Sequence, residues 1–399
     1  MKKSAAHKSN FCYPGGFLAG FAHAGLKKQK PDVALFYSQV PATCAAVFTK
    51  NAMKGNHIPF CQTQLAKGKN TVRAVLVASG NANAFNGPGG VEALEGIKRA
   101  YSRRLGIGAM QFLILQTGKI GMPFDGKQVI RIAKKLSCNL AKGGIGPVEA
   151  IMTTDSWPKA FAAEVKLSSG TVKLGGVCKG AGMICPNMAT MLALVSTDAK
   201  IAHSDLSAML ASAVSVSFNS ISVDNDTSPN DTVLLLANGA SGAQVRKGTK
   251  DYEKFQSALT EICTKLACEI VRNGEGATKF VQIDVVGAKS DAEAKEIARA
   301  ISTSYLVKAA IFGSDPNWGR IIAAAGRSNV RTAYDLAKSS LEICGEKVYA
   351  DGRATGIKPR MSSWSIPITL DLKSGNGKWR AWASDLSYGY VEENSQYTT

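Results

Sequence analysis

Residues 179–193 read Lys179-Gly180-Ala181-Gly182-Met183-Ile184-Cys185-Pro186-Asn187-Met188-Ala189-Thr190-Met191-Leu192-Ala193. A loop of small residues passes through Ala189-Thr190 straight into an apolar run, Met191–Ser196, that reads as a buried strand. A threonine at the head of such a strand is held rigidly, with its hydroxyl at the strand end. If the peptide bond before it is cut, Thr190 gains a free α-amine, a group with an unperturbed pKa of ~7.7–8.0. Amine and hydroxyl then sit on one residue, and the amine serves as general base without a histidine. This is the N-terminal-nucleophile arrangement. The chain can make the cut itself: the Thr190 hydroxyl attacks the Ala189 carbonyl, and water hydrolyses the resulting ester. An Ala-Thr step before a strand is usually structural when taken alone, so the reading depends on its neighbours.

Three neighbours support it. Thr117-Gly118 closes the apolar strand Gln111–Leu115 and offers a hydroxyl and a backbone N–H to an oxyanion. Glu275 stands between Gly274 and Gly276, which would let the backbone pass close to a site. The loop Asp224–Asp231 gathers four side chains able to act as ligands, although Asp and Asn also make purely local turns.

The bulk numbers exclude other chemistries. The 399 residues carry 48 Lys+Arg against 30 Asp+Glu, a formal charge of +18, and are 45% hydrophobic. That composition builds a folded chain of two or three domains, or of one large domain with an appendage. Residues 1–91 hold eleven Lys and Arg against the single acid Asp32, and so carry +10 of the charge. A basic excess fits a nucleic-acid or membrane partner, or an anionic small substrate. No apolar run reaches the ~18 residues of a membrane span. The uncharged stretch 11–26 ends in Ala22-His23-Ala24, like a signal-cleavage site, but Pro14 and several glycines break it, so it reads as a soluble N-terminus. The nine cysteines form no C-x-x-C pair, and His7, His23, His57 and His203 have no metal spacing. No metal site is therefore expected, and a reduced interior, cytoplasmic or organellar, fits best, with the cytoplasm as the expectation. Phosphate-loop, G-x-S-x-G and G-x-G-x-x-G patterns are all missing.

Periodicity places strands at Thr71–Ser79, Thr171–Val177, Met191–Ser196, Thr232–Ala237 and Val281–Val286. It places helices at Val91–Arg104, Lys127–Ala141, Asp205–Val216, Asp251–Arg272, Asp291–Ser302 and 318–326. From about Glu346 to Ser384 the chain reads as strands, with turns at Asp351-Gly352 and Asn376-Gly377. A change to shorter units near 280 suggests a main body over 1–280 and a smaller α+β domain over 281–399.

Taken in order along nearly the whole chain, these motifs resemble the arginine-biosynthesis ornithine acetyltransferases (glutamate N-acetyltransferases). The resemblance rests on Asp32-Val33-Ala34-Leu35, Val47-Phe48-Thr49-Lys50-Asn51, Ser79-Gly80-Asn81-Ala82-Asn83-Ala84, Thr117-Gly118, and Met152-Thr153-Thr154-Asp155 with Pro158-Lys159. It continues through the 179–193 block, Val223–Asp231, Glu275–Lys279, Asp315–Arg320 and the Tyr390…Asn394…Thr399 tail. It implies a layered α/β sandwich of the self-cleaving N-terminal-nucleophile type. It implies a cut between Ala189 and Thr190 into an α chain, 1–189, and a β chain, 190–399, assembled as an α2β2 heterotetramer. Thr190 would be the nucleophile, and Thr117 and Gly118 the oxyanion hole. Thr153 or Thr154, Lys179, Thr190, Glu275, Asn394 and Thr399 would bind substrate. The implied reaction moves an acetyl group from N-acetylornithine to glutamate with no cofactor. Some members also take acetyl-CoA as donor, which the sequence leaves open. On charge alone, Lys179 suits the substrate α-carboxylate and Glu275 the δ-ammonium of ornithine.

The chain departs from the family pattern at Phe85-Asn86, at Asn225 and Pro229, and at Lys54-Gly55-Asn56-His57. These positions bear on substrate breadth and leave the cleavage residues intact. Two other readings stand beside the transferase. One is a related self-cleaving aminopeptidase or amidohydrolase, in which water takes the acyl group. The other is a basic nucleic-acid-binding protein, which the unpatterned N-terminal lysines support only through their charge.

Overall fold

The computed structural model describes residues 10–185 and 191–396. Ala189, Thr190 and Thr399 lie outside the described residues. Strands β1 (Phe17–Ala22) and β2 (Val33–Phe48) pair antiparallel, Phe17 opposite Ser38. Helix α1 (His57–Lys67) leads to β3 (Thr71–Asn81), and α2 (Gly87–Leu105) to β4 (Phe112–Lys119). Three short helices, α3 (Lys127–Arg131), α4 (Ala133–Cys138) and α5 (Gly146–Ile151), precede the hairpin β5 (Lys159–Leu167) and β6 (Gly170–Lys179). Then come β7 (Leu192–Thr197), β8 (Lys200–Ile201), α6 (His203–Ser215), β9 (Ile221–Ser222), β10 (Thr232–Ala237), β11 (Gln244–Val245) and α7 (Lys250–Arg272).

The strand order is β4-β3-β2-β10-β7-β6-β5, with β1 on β2. The long β2 makes this path into a sandwich. Val33–Tyr37 pair with β3, the register breaks between Tyr37 and Ala42 around Pro41, Ala42 and Thr43 still meet β3, and Thr43–Phe48 pair with β10. Proline cannot donate to the ladder and is tolerated at such a break. Beyond the break the two halves stack: Val33–Phe36, Val177, Leu192, Leu194, Leu234 and Leu236 share one apolar cluster. The alternate residues Ala193, Val195, Val233 and Leu235 face a second cluster with Leu206, Met209, Phe255, Leu259 and Ile262 of α6 and α7. β7 and β10 run parallel, and burial on both faces explains their apolar runs Leu192–Val195 and Val233–Ala237.

The second sheet starts at β12 (Phe280–Ala288). It is covered by α8 (Asp291–Ser302), α9 (Tyr305–Phe312) and α10 (Trp318–Gly326) over a third apolar cluster. Its other strands are β13 (Ser340–Ile343), β14 (Glu346–Ala350), β15 (Arg353–Ala354), β16 (Ser365–Asp371) and β17 (Gly377–Ser384). Asp351 and Gly352, both at positive φ, form the two-residue β14–β15 turn. β9 reaches out of the first body to pair with β17, Ile221 opposite Trp382. Helix α11 (Tyr388–Gln396) closes the described chain. No helix among the described residues is long and apolar enough to cross a membrane.

Two expected elements differ. The strand read as stopping before Thr117-Gly118 runs on to Lys119, because β4 follows β3 to its end. The single helix expected over Lys127–Ala141 breaks at Ile132, and the chain has left the helix by Asn139. Ala141 exchanges two hydrogen bonds with Ala19, giving the edge strand β1 a backbone partner that a continuing helix would withhold.

Candidate active site

Thr117 and Gly118 sit at the end of β4, with Ser79 opposite Thr117 and Gly80 opposite Gly118. Gly118 has φ 127°, and a Cβ there would lie 2.4 Å from the Gly80 carbonyl carbon. Gly80, at φ 112°, is in turn pressed against the Leu26 carbonyl oxygen, 2.8 Å from where its Cβ would be. Asp32, the lone acid of the basic N-terminal region, shapes that Leu26 loop. Its buried carboxylate accepts the backbone N–H groups of Ala24, Gly25, Leu26 and Lys27 at 2.6–3.0 Å.

Lys179, at the end of β6, donates from Nζ to Thr117 Oγ1 at 3.1 Å. Four strands separate β4 from β6 in hydrogen-bonded order, so the fold of the sheet at β2 is what brings these ends together. Both side chains are buried, each 2% exposed as a residue. Burial lowers the Lys179 pKa. Asp155, Glu275 and Asp231 oppose that shift, and Lys159 adds to it.

Asp155 stands beside Lys179 in a buried cluster. Its Oδ1 accepts from Lys159 Nζ at 2.5 Å and from Gly180 N at 2.7 Å, and its Oδ2 accepts from Thr153 N at 2.9 Å. Burial alone would raise this carboxyl, but Lys159, Lys179 and the two Oδ1 donors outweigh it and hold Asp155 well below the usual carboxylate range. Lys159 Nζ also donates to Asn273 Oδ1 at 2.7 Å. Two residues on, Glu275 N–H donates to the Ala181 carbonyl at 3.0 Å. The Glu275 carboxylate lies against Gly182, where a Cβ would fall 2.1 Å from Oε2, and Asn394 Nδ2 donates to the same oxygen at 3.0 Å. Gly276, at φ 63°, clears the backbone of Tyr390. The close approach expected around Glu275 is therefore to α11, and it is what delivers Asn394.

The structure thus groups Thr117, Gly118 and Lys179, ties Thr153 to them through Asp155, and joins Glu275 with Asn394. Thr154 follows Thr153 and is half-buried. The Asp224–Asp231 loop binds Met183, Ile184 and Met191. Asp224 accepts from Met183 N at 2.5 Å and Ile184 N at 2.7 Å, and Asp231 accepts from Met191 N at 2.9 Å. Asn225, one of the departures, sits at φ 71° and donates to the Thr303 carbonyl at 2.6 Å. It holds a left-handed position that glycine or asparagine fills best. Among the described residues, no three His, Cys, Asp or Glu side chains are placed to hold a metal. The sequence alone gives Asp155, Lys159 and Asn273 no role, although the Asp-x-x-x-Lys spacing of the first two is a signal for an ion pair.

These features define a layered α/β protein whose strand ends converge on a threonine, a glycine and a buried lysine. The profile of the ArgJ family matches residues 18–399. The arginine biosynthesis bifunctional protein ArgJ of Chlorobaculum tepidum is 40% identical over 394 residues, covering 96% of each chain. That of Lactococcus lactis is 38% identical over 398 residues, 98% of this chain and 99% of its own. The crystal structure of the Bacillus halodurans ArgJ protein is 36% identical, covers 51% of this chain and 97% of its own, and superposes with a TM-score of 0.48. The chain belongs to the ArgJ family.

Proposed function

We propose that this chain is a self-processing acetyltransferase of arginine biosynthesis that carries an acetyl group from N-acetylornithine to glutamate. The observation that carries the chemistry is the Lys179–Thr117 hydrogen bond beside Gly118. A threonine hydroxyl has one donor and two acceptor positions. With Lys179 donating into Oγ1, the Thr117 hydrogen is left to point at an oxyanion, alongside the Gly118 N–H.

In the first step Thr190 Oγ attacks the Ala189 carbonyl, and water hydrolyses the ester to leave chains 1–189 and 190–399. In transfer, Thr190 Oγ attacks the acetyl carbonyl of N-acetylornithine while its own α-amine takes the proton. Thr117 and Gly118 hold the oxyanion. Ornithine leaves with a proton, and acetyl-Thr190 remains. The α-amine of glutamate then attacks this ester and regenerates the hydroxyl, which gives ping-pong kinetics. Thr153, Thr154, Lys179, Glu275, Asn394 and Thr399 bind substrate, Lys179 toward the α-carboxylate and Glu275 toward the δ-ammonium. The products of cleavage assemble as α2β2 in the cytoplasm. No cofactor takes part, and acetyl-CoA is the second donor to try.

The test pairs intact-mass spectrometry with a transfer assay. Two fragments meeting at Ala189/Thr190, together with N-acetylglutamate formed from N-acetylornithine, support the reading. Free acetate released at a rate indifferent to glutamate would make the chain a hydrolase instead.

A further inference from the structure

Asp155, Lys159 and Asn273 form a buried knot that substrate chemistry leaves unused. The Lys159 and Asp155 side chains are fully buried, and Asn273 is 4% exposed. Three chain segments meet on it. The segment of Thr153 and Thr154 is bound through Thr153 N–H to Asp155 Oδ2 and through Ser156 N–H to Asn273 Oδ1, at 2.9 and 3.1 Å. The end of β6 is bound one residue past Lys179, through Gly180 N–H to Asp155 Oδ1. The segment of Glu275 starts at Asn273, the residue that ends α7, and its side-chain oxygen accepts from Ser156 N–H and Lys159 Nζ, so it reaches the end of β6 only through Asp155.

Buried ion pairs are weak evidence for stability, because desolvation offsets most of their attraction. A pair retained at full burial exactly where three substrate-bearing segments cross has a better explanation in placement. We propose that Asp155, Lys159 and Asn273 are positioning residues for acetyl transfer: together they fix the spacing of Thr153, Lys179 and Glu275 and set the charge that the Lys179 ammonium faces. This rests on the transferase reading above.

The titratable groups acting on Lys179 come from several elements. Asp155 and Lys159 act from the α5–β5 region, Glu275 from beyond α7, and Asp231 from the head of β10. Lys27, in the loop before β2, also lies in its field. Asp155 favours the ammonium form of Lys179 and Lys159 opposes it. Removing one or the other therefore pushes Lys179 in opposite directions, which damage to packing does not do.

The experiment measures kcat/KM for N-acetylornithine against pH, on self-cleaved wild type, Asp155→Asn and Lys159→Met. The alkaline limb, where Lys179 loses its proton, is expected to move down by at least one pH unit in Asp155→Asn and up in Lys159→Met. KM is expected to rise at least tenfold in Asp155→Asn at a pH where wild type is fully active. Limbs that stay in place, or move the same way in both variants, overturn the proposal. If Asp155→Asn does not fold, Lys159→Met decides alone: an upward move supports the proposal and an unmoved limb sinks it. A wild type that cleaves but transfers nothing refutes the underlying reading, and that result is separate from either outcome.

Discussion

Met191 N–H donates to Asp231 Oδ1 at 2.9 Å, and Thr232, the next residue after Asp231, donates its N–H to the Met191 carbonyl at 3.1 Å. Met191 is therefore pinned on both sides by the head of β10. Its nitrogen belongs to the peptide bond that joins it to Thr190, so the downstream side of the expected cut is built into the sheet. Asp231 is fully buried, and its Oδ2 has no hydrogen-bond partner among the described residues. Burial raises its carboxyl well above the usual range, against the lowering effects of Met191 N–H, Lys179 and Ser228.

The first prediction separates the acceptor from the charge. Asp231→Asn keeps an oxygen for Met191 N–H and is expected to yield fully cut protein. Asp231→Ala orphans a buried N–H, which costs about 1–3 kcal/mol, and is expected to accumulate the uncut chain. Intact-mass spectrometry over a time course reads both. An alanine variant cut as fast as wild type would show that pinning Met191 does not matter for cleavage.

Thr117 is the second. Losing one oxyanion donor costs about 2.7–4 kcal/mol, or 10²- to 10³-fold in kcat. Thr117→Ala is expected to lose that much kcat with a small change in KM, and Thr117→Ser to recover most of it. Steady-state kinetics on cleaved protein decide the matter. A Thr117→Ala enzyme whose loss lay entirely in KM would make Thr117 a ground-state binder only.

The third prediction compares two glycines. Gly118→Ala sets a Cβ against backbone that cannot swing away, at 2.4 Å from Gly80, and at φ 127°. Gly87, at φ 58°, has open space around its Cβ position. An unfavourable φ costs about 1–3 kcal/mol by itself. Gly87→Ala is therefore expected to lower Tm modestly. Gly118→Ala is expected to lower it further and to abolish transfer, because the β3–β4 ends must separate. Equal Tm shifts would contradict this.

Asp224 supplies a pH test. Burial raises its carboxyl to about 6, although the N–H groups of Met183, Asp226 and Ile184 pull it down. Folded Asp224 thus binds its proton more tightly than the unfolded chain, whose aspartates titrate near 3.9. The stability this gives is complete below about pH 4 and is lost as pH rises through 6, an amount of about 3 kcal/mol. Urea unfolding at pH 4.5 and pH 7.5 is expected to show Asp224→Asn gaining on wild type by that order at the higher pH. A difference that is flat, or that runs the other way, would mean that Asp224 is not held protonated by burial.

Much of this architecture was legible in the sequence because its core elements carry strong periodicity. Thr232–Ala237 is apolar at every position after the first and is β10, and Asp291–Ser302 is amphipathic and is α8. Helix α11 carries no such pattern, since none of its residues is buried, and β2 hid behind the polar break at Ser38–Gln39 and Pro41. Thr117, Lys179, Glu275 and Asn394 were visible as motif residues. Their supports were not. Whether Asp155 and Lys159 make a local turn or a buried knot depends on Gly180, which Asp155 meets, and on Asn273, which Lys159 meets from more than a hundred positions away, and no local pattern encodes that.

The last prediction concerns Gly182 and Glu275. A Cβ on Gly182 would fall 2.1 Å from Glu275 Oε2 and 2.3 Å from its Cδ, both at the free end of a flexible side chain. Glu275 can rotate away at small cost, so Gly182→Ala is expected to fold with Tm within a few degrees of wild type. The carboxylate would then leave Asn394, whose Nδ2 it accepts at 3.0 Å. If Glu275 receives the cationic end of the donor, losing that placement removes a charge-assisted contact of about 1.5–3 kcal/mol, or roughly ten- to hundredfold in KM for N-acetylornithine. Self-cleavage needs no such cation and should proceed as in wild type. Asn394→Ala should raise KM in the same direction by less, since it loosens the carboxylate without displacing it. A Gly182→Ala enzyme with unchanged KM for N-acetylornithine would move the cation site away from Glu275.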